Sequence, residues 1–321
     1  MKFKLLTAAL LGAFGLFVSQ SHVQAVEPYE YAKPSSMTTK ALILDVAEIG
    51  DRLVAAGEYG HIIYSDDRGE SWVQANSVPT RNTITKITFL DEKTGFAVGH
   101  DATILKTEDG GENWTLKYIE RRGENPLFGL QFSSPSYGVA VGAFSTVMET
   151  TDGGETWNPR PLIEGGFDDF HLNGLFTDAQ GGFYIPAEFG VVYKSTDGGR
   201  TFESIQTAYE GSFWGGMALQ NNDLLIWGMR GNAYLSNDGG RSWVRALTNT
   251  DRSISGGTQL ADGTIVLTGL SGLVLVSTDS GRNFAANVRP DRLSFATVSS
   301  KSDGEVLLYG DPGVLPHALT N

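Results

Sequence analysis

The chain of 321 residues contains no cysteine, which excludes disulfide bonds, thiolate nucleophiles and zinc sites built on cysteine. Positive charge is also scarce: 24 lysines and arginines against 37 acidic residues leave a net charge of −13. Because an acidic chain repels phosphate backbones, a general nucleic-acid-binding function is not expected. Proline is sparse at 11 residues, whereas 40 glycines and 11% aromatic residues favour β structure with many tight turns.

Long uncharged stretches are missing except near the start of the chain. Residues 5–18 are uncharged and follow Lys2 and Lys4, but they are too few for the ~20 residues that span a bilayer. Val23 and Ala25 are small residues at the positions that signal peptidase reads. We therefore predict a signal peptide at residues 1–25 and one exported domain at residues 26–321, without a transmembrane segment. The expected location is the periplasm, with a thylakoid lumen or secretion as alternatives.

An octapeptide recurs six times with the pattern S/T-x-D-x-G-x-S/T/N-W/F. Its copies occupy residues 65–72, 107–114, 150–157, 195–202, 236–243 and 277–284. The aspartates are 41 to 45 residues apart, and a fixed period in this range indicates a propeller or a solenoid. Each period contains four short runs of strand-forming residues separated by turns, without helical periodicity. Four-stranded units repeated around an axis are the blades of a β-propeller.

The length indicates the number of blades. Residues 26–321 divided by seven give about 42 residues per unit, which matches the period. The last unit, residues 293–319, has neither an octapeptide nor a fourth strand. A shift by one period places residues 29–32 where that strand belongs. We predict an all-β, seven-bladed propeller of four-stranded antiparallel blades, in which residues 29–32 close the ring and remove the open sheet edge.

The octapeptide is an Asp box, a motif known from many propellers. Its aspartate can accept hydrogen bonds from loop amides, its glycines allow a positive φ, and its aromatic residue packs between sheets. A catalytic site needs asymmetric groups that converge once, so six near-identical copies indicate a structural role. The residues assigned to this role are Asp67, Trp72, Asp109, Trp114, Asp152, Trp157, Asp197, Phe202, Asp238, Trp243, Asp279 and Phe284.

The loops on the opposite face are the candidates for function. The turns between second and third strands and the connections between blades should lie there, and their side chains differ from blade to blade. Arginines are frequent in these loops, and the planar guanidinium suits carboxylates and phosphates. The alternative is that these arginines pair with neighbouring acids or are solvated. The predicted partner-binding residues are Arg81, Arg121, Arg122, Arg230, Arg252, Arg292, Phe213 and Trp214.

The same turns supply candidates for the mouth of the central channel. These are Glu58, Tyr59, His100, Asp101, Phe144, Glu188, Phe189 and Asp311. The histidines are scattered without the spacing of metal ligands, so no metal site is expected. No phosphate-binding loop, dinucleotide fingerprint or nucleophile elbow is present, and we assign no catalytic residue and no cofactor.

Residues 94–114 read T-G-F-A-V-G-x-x-x-x-I-L-K-T-x-D-G-G-x-x-W and resemble the repeats of the photosystem II stability/assembly factors. These are Asp-box, or BNR-repeat, seven-bladed propellers, and the resemblance covers residues 27–321. It implies a non-enzymatic assembly factor that contacts membrane-protein subunits through an arginine-bearing patch.

Three functions are compatible with these observations. The first is an exported, monomeric assembly or scaffold protein, chaperone-like, that binds a membrane or envelope protein complex of unspecified identity through the arginine-bearing face. The second is a sialidase-like glycoside hydrolase that uses channel-mouth carboxylates. Asp boxes also occur in sialidases, but the F/Y-R-I-P signature is missing, because the nearest string, residues 184–186, lacks the arginine. The third is a structural envelope protein without a specific partner.

Overall fold

The computed structural model describes residues 30–121, 123, 125–166, 169–302 and 304–319. Within these residues, seven antiparallel sheets follow one another along the chain, and the strands of each sheet are in sequence order. The first six sheets have four strands and the last has three. The innermost strand of each sheet contacts that of the next, and the first sheet contacts the last, so the sheets form a closed ring. The predicted seven-bladed β-propeller is confirmed.

The strands of the first four blades alternate with short turns. Blade 1 contains β1 (Ile43–Ile49), β2 (Arg52–Gly57), β3 (Ile62–Ser65) and β4 (Val73–Gln74). Blade 2 contains β5 (Ile84–Phe89), β6 (Gly95–Gly99), β7 (Ile104–Thr107) and β8 (Thr115–Tyr118). Blade 3 contains β9 (Leu127–Phe132), β10 (Gly138–Gly142), β11 (Val147–Thr150) and β12 (Asn158–Pro159). Blade 4 contains β13 (Phe176–Thr177), β14 (Phe183–Pro186), β15 (Val191–Ser195) and β16 (Glu203–Gln206).

The last three blades follow the same order. Blade 5 contains β17 (Phe213–Ala218), β18 (Leu224–Gly228), β19 (Ala233–Ser236) and β20 (Val244–Arg245). Blade 6 contains β21 (Ile254–Gln259), β22 (Ile265–Gly269), β23 (Leu273–Ser277) and β24 (Ala285–Val288). Blade 7 contains β25 (Phe295–Ser302), β26 (Glu305–Gly310) and β27 (Gly313–Ala318). Short 3-10 turns occur at Thr38–Lys40, Glu58–Gly60, Met229–Gly231 and Leu270–Gly272.

Each Asp box forms the corner between the third and fourth strands of its blade. In blade 3, Asp152 accepts the N–H of Thr156 at 3.0 Å and its hydroxyl at 2.6 Å. The hydroxyl of Thr150 donates to the same carboxylate at 2.8 Å and accepts the N–H of Gly154 at 2.9 Å. The bonds from Thr156 lower the pKa of Asp152 to about 2. The carboxylate therefore satisfies several loop donors that would otherwise be unpaired.

The aromatic residue of the box packs between neighbouring blades. Trp157 is 5% exposed, and its ring meets Phe96 of blade 2 edge-on, with 6.3 Å between ring centroids. It meets Phe132 at 6.0 Å, and its indole N–H donates to the carbonyl of Gly154 at 3.2 Å. The repeat thus supplies one large buried side chain for an interface between blades, and burial of this kind provides most of the stability of such a fold.

The ring closes by side-chain packing between blades 7 and 1. Ile43 and Leu53 of blade 1 are buried against Leu307 and Tyr309 of blade 7. Polar contacts surround this core: Glu48 accepts the N–H of Ser300 at 3.0 Å. Lys301 also pairs with Glu70 at 3.0 Å.

The prediction that residues 29–32 form the fourth strand of blade 7 does not hold for the described residues 30–32. Among the described residues, none joins blade 7 as a fourth strand, and Tyr29 lies outside them. Ala32 donates its N–H to the carbonyl of Val78 at 2.9 Å instead, and Glu30 pairs with Arg81. The period alone misplaced this segment because these contacts hold it beside blades 1 and 2.

The antiparallel topology divides the loops between two faces. The Asp boxes and the turns between first and second strands lie on one face, which we call the Asp-box face. The turns between second and third strands and the blade-to-blade connections lie on the other, which we call the connection face.

Candidate protein-binding face

The turns and connections of the connection face form a ring of loops, and hydrogen bonds join neighbouring members of it. In blade 5, Met229 donates its N–H to Ser212 O at 3.1 Å, in the connection that enters the blade. The next residue, Arg230, donates its N–H to Ser253 Oγ at 3.2 Å, in the connection that leaves the blade. The turn of blade 5 is thus held between two connections, so residues far apart in sequence become neighbours.

Three arginines follow this ring over blades 5 to 7, and we call Arg230, Arg252 and Arg292 the basic arc. Ser253, next to Arg252, contacts the turn that carries Arg230 and also accepts the N–H of Leu270 at 3.0 Å. The turn of blade 6 then reaches the last connection, where Gly272 donates to Leu293 O at 2.8 Å. Within the described residues, no carboxylate forms an ion pair with any of the three guanidinium groups. Their charge is available to a ligand.

The predicted arginines do not form one patch. Arg81 and Arg121 lie between blades 1 and 3, separated from the basic arc by blades 3 and 4 on one side and by blades 7 and 1 on the other. Arg81 pairs with Glu30 at 2.8 Å, whereas Arg122 lies outside the described residues. A similar path through the turn of blade 2 joins the connections that carry Arg81 and Arg121, because His100 donates its N–H to Thr83 O at 2.9 Å and Glu120 donates its N–H to Asp101 O at 2.8 Å.

The structure also does not support the prediction that Phe213 and Trp214 contact a partner. Phe213 is fully buried and packs against Tyr209 and Tyr234, with ring centroids at 5.2 and 5.6 Å, so it cannot face a partner. Trp214 lines the central channel. The reason is a β-bulge: Phe213 pairs with Gly228 and Gly215 pairs with Trp227, so Trp214 is the extra residue and its side chain is turned towards the axis.

Exposed aromatic side chains lie at the tips of three turns on this face. Tyr59, Phe144 and Phe189 are 55%, 50% and 58% exposed. All three have left-handed backbone conformations, with φ of 58°, 52° and 54°. Bulky residues rarely adopt this conformation, and such strain is concentrated at functional sites. The blade 3–4 connection adds Phe170, whose ring centroid is 5.1 Å from that of Phe189, and His171, at 4.8 Å from that of Phe144.

A groove of about 590 Å³ lies between the turns of blades 4 and 5. Phe189 and Glu188 line one side, and Met229 and Arg230 line the other. It joins the exposed aromatic residues to the basic arc. Burial raises the pKa of Tyr209 in the groove, and the charge of Arg230 opposes that rise.

The predicted channel-mouth residues do not line the channel. The axial cavity, of about 170 Å³, is lined by the innermost strands, including Asp45, Lys86, Phe128 and Trp214. The turn residues Glu58, Tyr59, His100, Asp101, Phe144, Glu188, Phe189 and Asp311 are absent from its described lining. They connect second to third strands and therefore lie at least one strand spacing, ~4.8 Å, further from the axis.

The cavity contains a charge pair but no pair of carboxylates. Lys86 Nζ contacts Asp45 Oδ1 at 2.8 Å, and Asp45 is the single acidic residue of the described lining. Glycoside hydrolysis by the ordinary route needs two carboxylates ~5–9 Å apart, so the axial cavity does not favour the hydrolase hypothesis. The described residues also contain no group of three or more His, Asp or Glu side chains that could hold a metal ion.

Sequence reasoning missed Met229, Phe170 and Leu270 on the connection face. Phe170 had a detectable signal, because sixteen residues separate β12 (Asn158–Pro159) from β13 (Phe176–Thr177). Met229 and Leu270 had no such signal, because nothing in the sequence distinguishes them from other turn residues. In the described part of the chain, no helix is long and apolar enough to cross a membrane.

Comparison with known proteins places this fold in a family. The family described as photosynthesis system II assembly factor YCF48 matches at residues 70–128 and 118–272. The structure titled "YCF48 bound to D1 peptide" is similar with a TM-score of 0.70 and 16% identity, covering 92% of this chain and 96% of that one. YCF48 from Cyanidioschyzon merolae gives 0.67 and 13%, with 91% and 99% covered.

A more distant protein shares the architecture. The WD40 β-propeller domain of Doa1 gives a TM-score of 0.68 and 11% identity, with 90% and 95% of the two chains covered. At these identities the structural likeness establishes the fold alone, and no curated protein sequence matches the chain. The family match spans more than half of the chain, in agreement with the sequence resemblance, and the chain therefore belongs to the photosystem II assembly factor YCF48 family.

Proposed function

We propose that this chain is an exported, non-enzymatic assembly or scaffold protein that binds an acidic, extended segment of a membrane or envelope protein through the basic arc. The observation that carries the proposal is the set of three arginines, Arg230, Arg252 and Arg292, that no described carboxylate neutralises in a chain of net charge −13. Arginine is enriched at the energetic centres of protein interfaces.

Two further observations support a peptide or protein ligand. The exposed aromatic tips beside the arc provide the rigid apolar contact area that interfaces use, and the groove at Phe189 and Arg230 connects the two chemistries. A similar structure carries a D1 peptide, which supports a peptide-binding role for this chain. The signal peptide predicted at residues 1–25 supports a partner outside the cytoplasm, in a periplasm or an equivalent compartment.

Crosslinking capture from the native cell envelope tests the proposal. The wild-type protein is compared with the variant Arg230→Glu/Arg252→Glu/Arg292→Glu. The matched control is Arg200→Glu/Arg241→Glu/Arg282→Glu, which makes the same charge change on the Asp-box face of blades 4 to 6. We expect wild type and control to retain an envelope protein that the basic-arc variant loses. Equal losses in both variants, or no loss in either, would refute the proposal.

A further inference from the structure

Blade 7 is one strand short of the other six blades. Its outermost described strand is β27 (Gly313–Ala318), which corresponds in position to the third strand of every other blade. In blades 1 to 6 that third strand is covered on its outer side by a fourth. Among the described residues, no strand pairs with the outer edge of β27.

The register identifies the backbone groups on this edge. Leu308 pairs with Leu315 and Leu307 with Pro316, and Leu319 donates its N–H to Gly304 O at 2.8 Å. Because backbone groups alternate in direction along a strand, the odd-numbered residues of β27 bond to β26. The N–H and C=O groups of Val314 and Ala318 therefore point outwards. Pro316 also faces outwards, which is where a proline is tolerated.

The outer edge of β27 is uncharged and has Pro316 near its middle. Natural edges are often blunted by charged residues or by proline. The outer strands β8, β16 and β20 carry Lys117, Glu203 and Arg245, whereas β4, β12 and β24 carry no charged residue. β27 contains no Lys, Arg, Asp or Glu. Its Leu315 packs against the core of blades 6 and 7. An uncharged edge with unpaired backbone groups is a template for an added strand.

The connection between blades 6 and 7 links the basic arc to β27. Arg289 and Arg292 belong to the connection between blades 6 and 7. The Arg289 guanidinium contacts Nδ1 of His317 on β27 at 2.9 Å and lies over the ring of Phe295, 5.4 Å from its centroid. Arg289 is paired with Asp291, but Arg292 has no such partner among the described residues. A segment held by the arc at Arg292 is therefore beside blade 7.

We infer that an extended segment of the acidic partner adds to β27 as the fourth strand of blade 7. This inference rests on the proposed function and specifies the partner's form. β27 runs away from the connection face, so an antiparallel segment runs towards it. The strand-forming residues of the partner must come first in its sequence, and its acidic residues must follow, at Arg292.

Amide hydrogen exchange on the full chain tests this arrangement. The probe is a synthetic peptide of alternating Thr and Val followed by a run of Asp and Glu, and the control peptide carries the same residues in the reverse order. In the free protein, Val314 and Ala318 should exchange fast while Leu315 and His317 exchange slowly. The forward peptide should slow Val314 and Ala318 by about tenfold or more, and the reversed peptide should not.

Several results would overturn the inference. Slow exchange of Val314 and Ala318 in the free protein would mean that the chain itself already covers the edge. Equal protection by both peptides, or no binding of either, would refute the claim that an antiparallel segment adds to β27. A lysate protein captured without protection of these two amides would count against it as well.

A backbone variant separates this inference from the proposed function. Ala318→Pro removes an outward N–H and leaves the bonds to β26 intact, so affinity for the forward peptide should fall about fivefold, the value of one hydrogen bond. Ala318→Val keeps the N–H and should bind like wild type. If the basic-arc variant loses binding while Ala318→Pro does not, the proposed function stands and the added strand is refuted. If edge protection survives loss of the arginines, the basic arc is refuted instead.

Discussion

The two faces of the propeller differ in the residues that adopt left-handed backbone conformations. On the Asp-box face, tight turns with positive φ are built almost entirely from glycine, as at Gly110, Gly153 and Gly198. On the connection face, side chains share the left-handed region with glycine: Tyr59 and Arg230 occupy it, and each is followed by a glycine, Gly60 and Gly231. Arg68, Asn222 and Ser280 are the exceptions on the Asp-box face among the described residues.

This difference separates stability from function within one repeat. Glycine satisfies a left-handed position without steric cost, whereas an L-residue there costs ~1–2 kcal/mol. The last left-handed position of every Asp box is a glycine, from Gly69 in the first box to Gly281 in the sixth. The connection face retains strained aromatic and charged residues at exposed positions, which folding alone does not explain. Loss of side chains should consequently destabilise one face and impair binding at the other.

The largest expected effect is on the Asp-box side. Trp157→Ala removes a buried ring that packs against Phe96 and Phe132, and we expect a loss of ~3–5 kcal/mol in the free energy of unfolding. Phe189→Ala on the connection face should change it by less than ~0.5 kcal/mol, because the ring is exposed. Urea unfolding measures both. Similar losses of unfolding free energy in the two variants would contradict the distinction between the two faces.

Exchanging the residue types at left-handed positions sharpens the comparison. Gly154 has φ of 80°, and a Cβ there would collide with the ring of Phe96, so Gly154→Ala should lose ~1–3 kcal/mol. Phe144→Gly relieves a left-handed residue and should leave stability unchanged or raise it by up to ~1 kcal/mol. Thermal or urea unfolding distinguishes the signs. A destabilised Phe144→Gly protein would show that the ring is structural.

The acid response of the Asp-box face is the smallest effect. Hydrogen bonds from Thr156 lower the pKa of Asp152 to about 2, below its ordinary value of 3.8. Its contribution to stability is therefore complete above pH ~4 and is lost as the pH falls towards 2. The difference in unfolding free energy between wild type and Asp152→Asn should shrink over that interval. A difference that stays constant from pH 5 to 2 would contradict the assigned hydrogen bonds.

A control variant isolates the hydroxyl. Thr156→Val removes the O–H donor to Asp152 but keeps the N–H donor. We expect the pKa of Asp152 to rise and acid unfolding to begin at a higher pH than in wild type.

Local motifs predicted the part of the fold that repeats. The Asp box lies within eight residues, so its spacing gave both the blades and their number. The contacts of Ala32 with Val78 and of Arg81 with Glu30 join segments with no shared pattern, and the closing strand was therefore misplaced. The packing between blades 7 and 1, which closes the ring instead, could not be predicted from the sequence pattern either.

The candidate site was predictable by face but not by arrangement. The order of strands placed Arg230 and Arg252 in loops of one face, but only the contact between Arg230 and Ser253 makes them neighbours. Alternation along a strand cannot reveal a bulge, so Phe213 and Trp214 were both assigned to the surface. The sequence also does not show how far a turn lies from the propeller axis, and this is why the turn residues were expected at the mouth of the channel.

Hydroxyl-radical footprinting of the captured complex tests the central claim most directly, because it reports which face the partner covers. Phe144 and Phe189 are exposed on the connection face, and Leu90 is exposed on the Asp-box face. The account predicts that partner binding protects Phe144 and Phe189 from oxidation and leaves Leu90 unchanged. Protection of Leu90 with continued oxidation of both phenylalanines would place the interface on the face that we assign to stability.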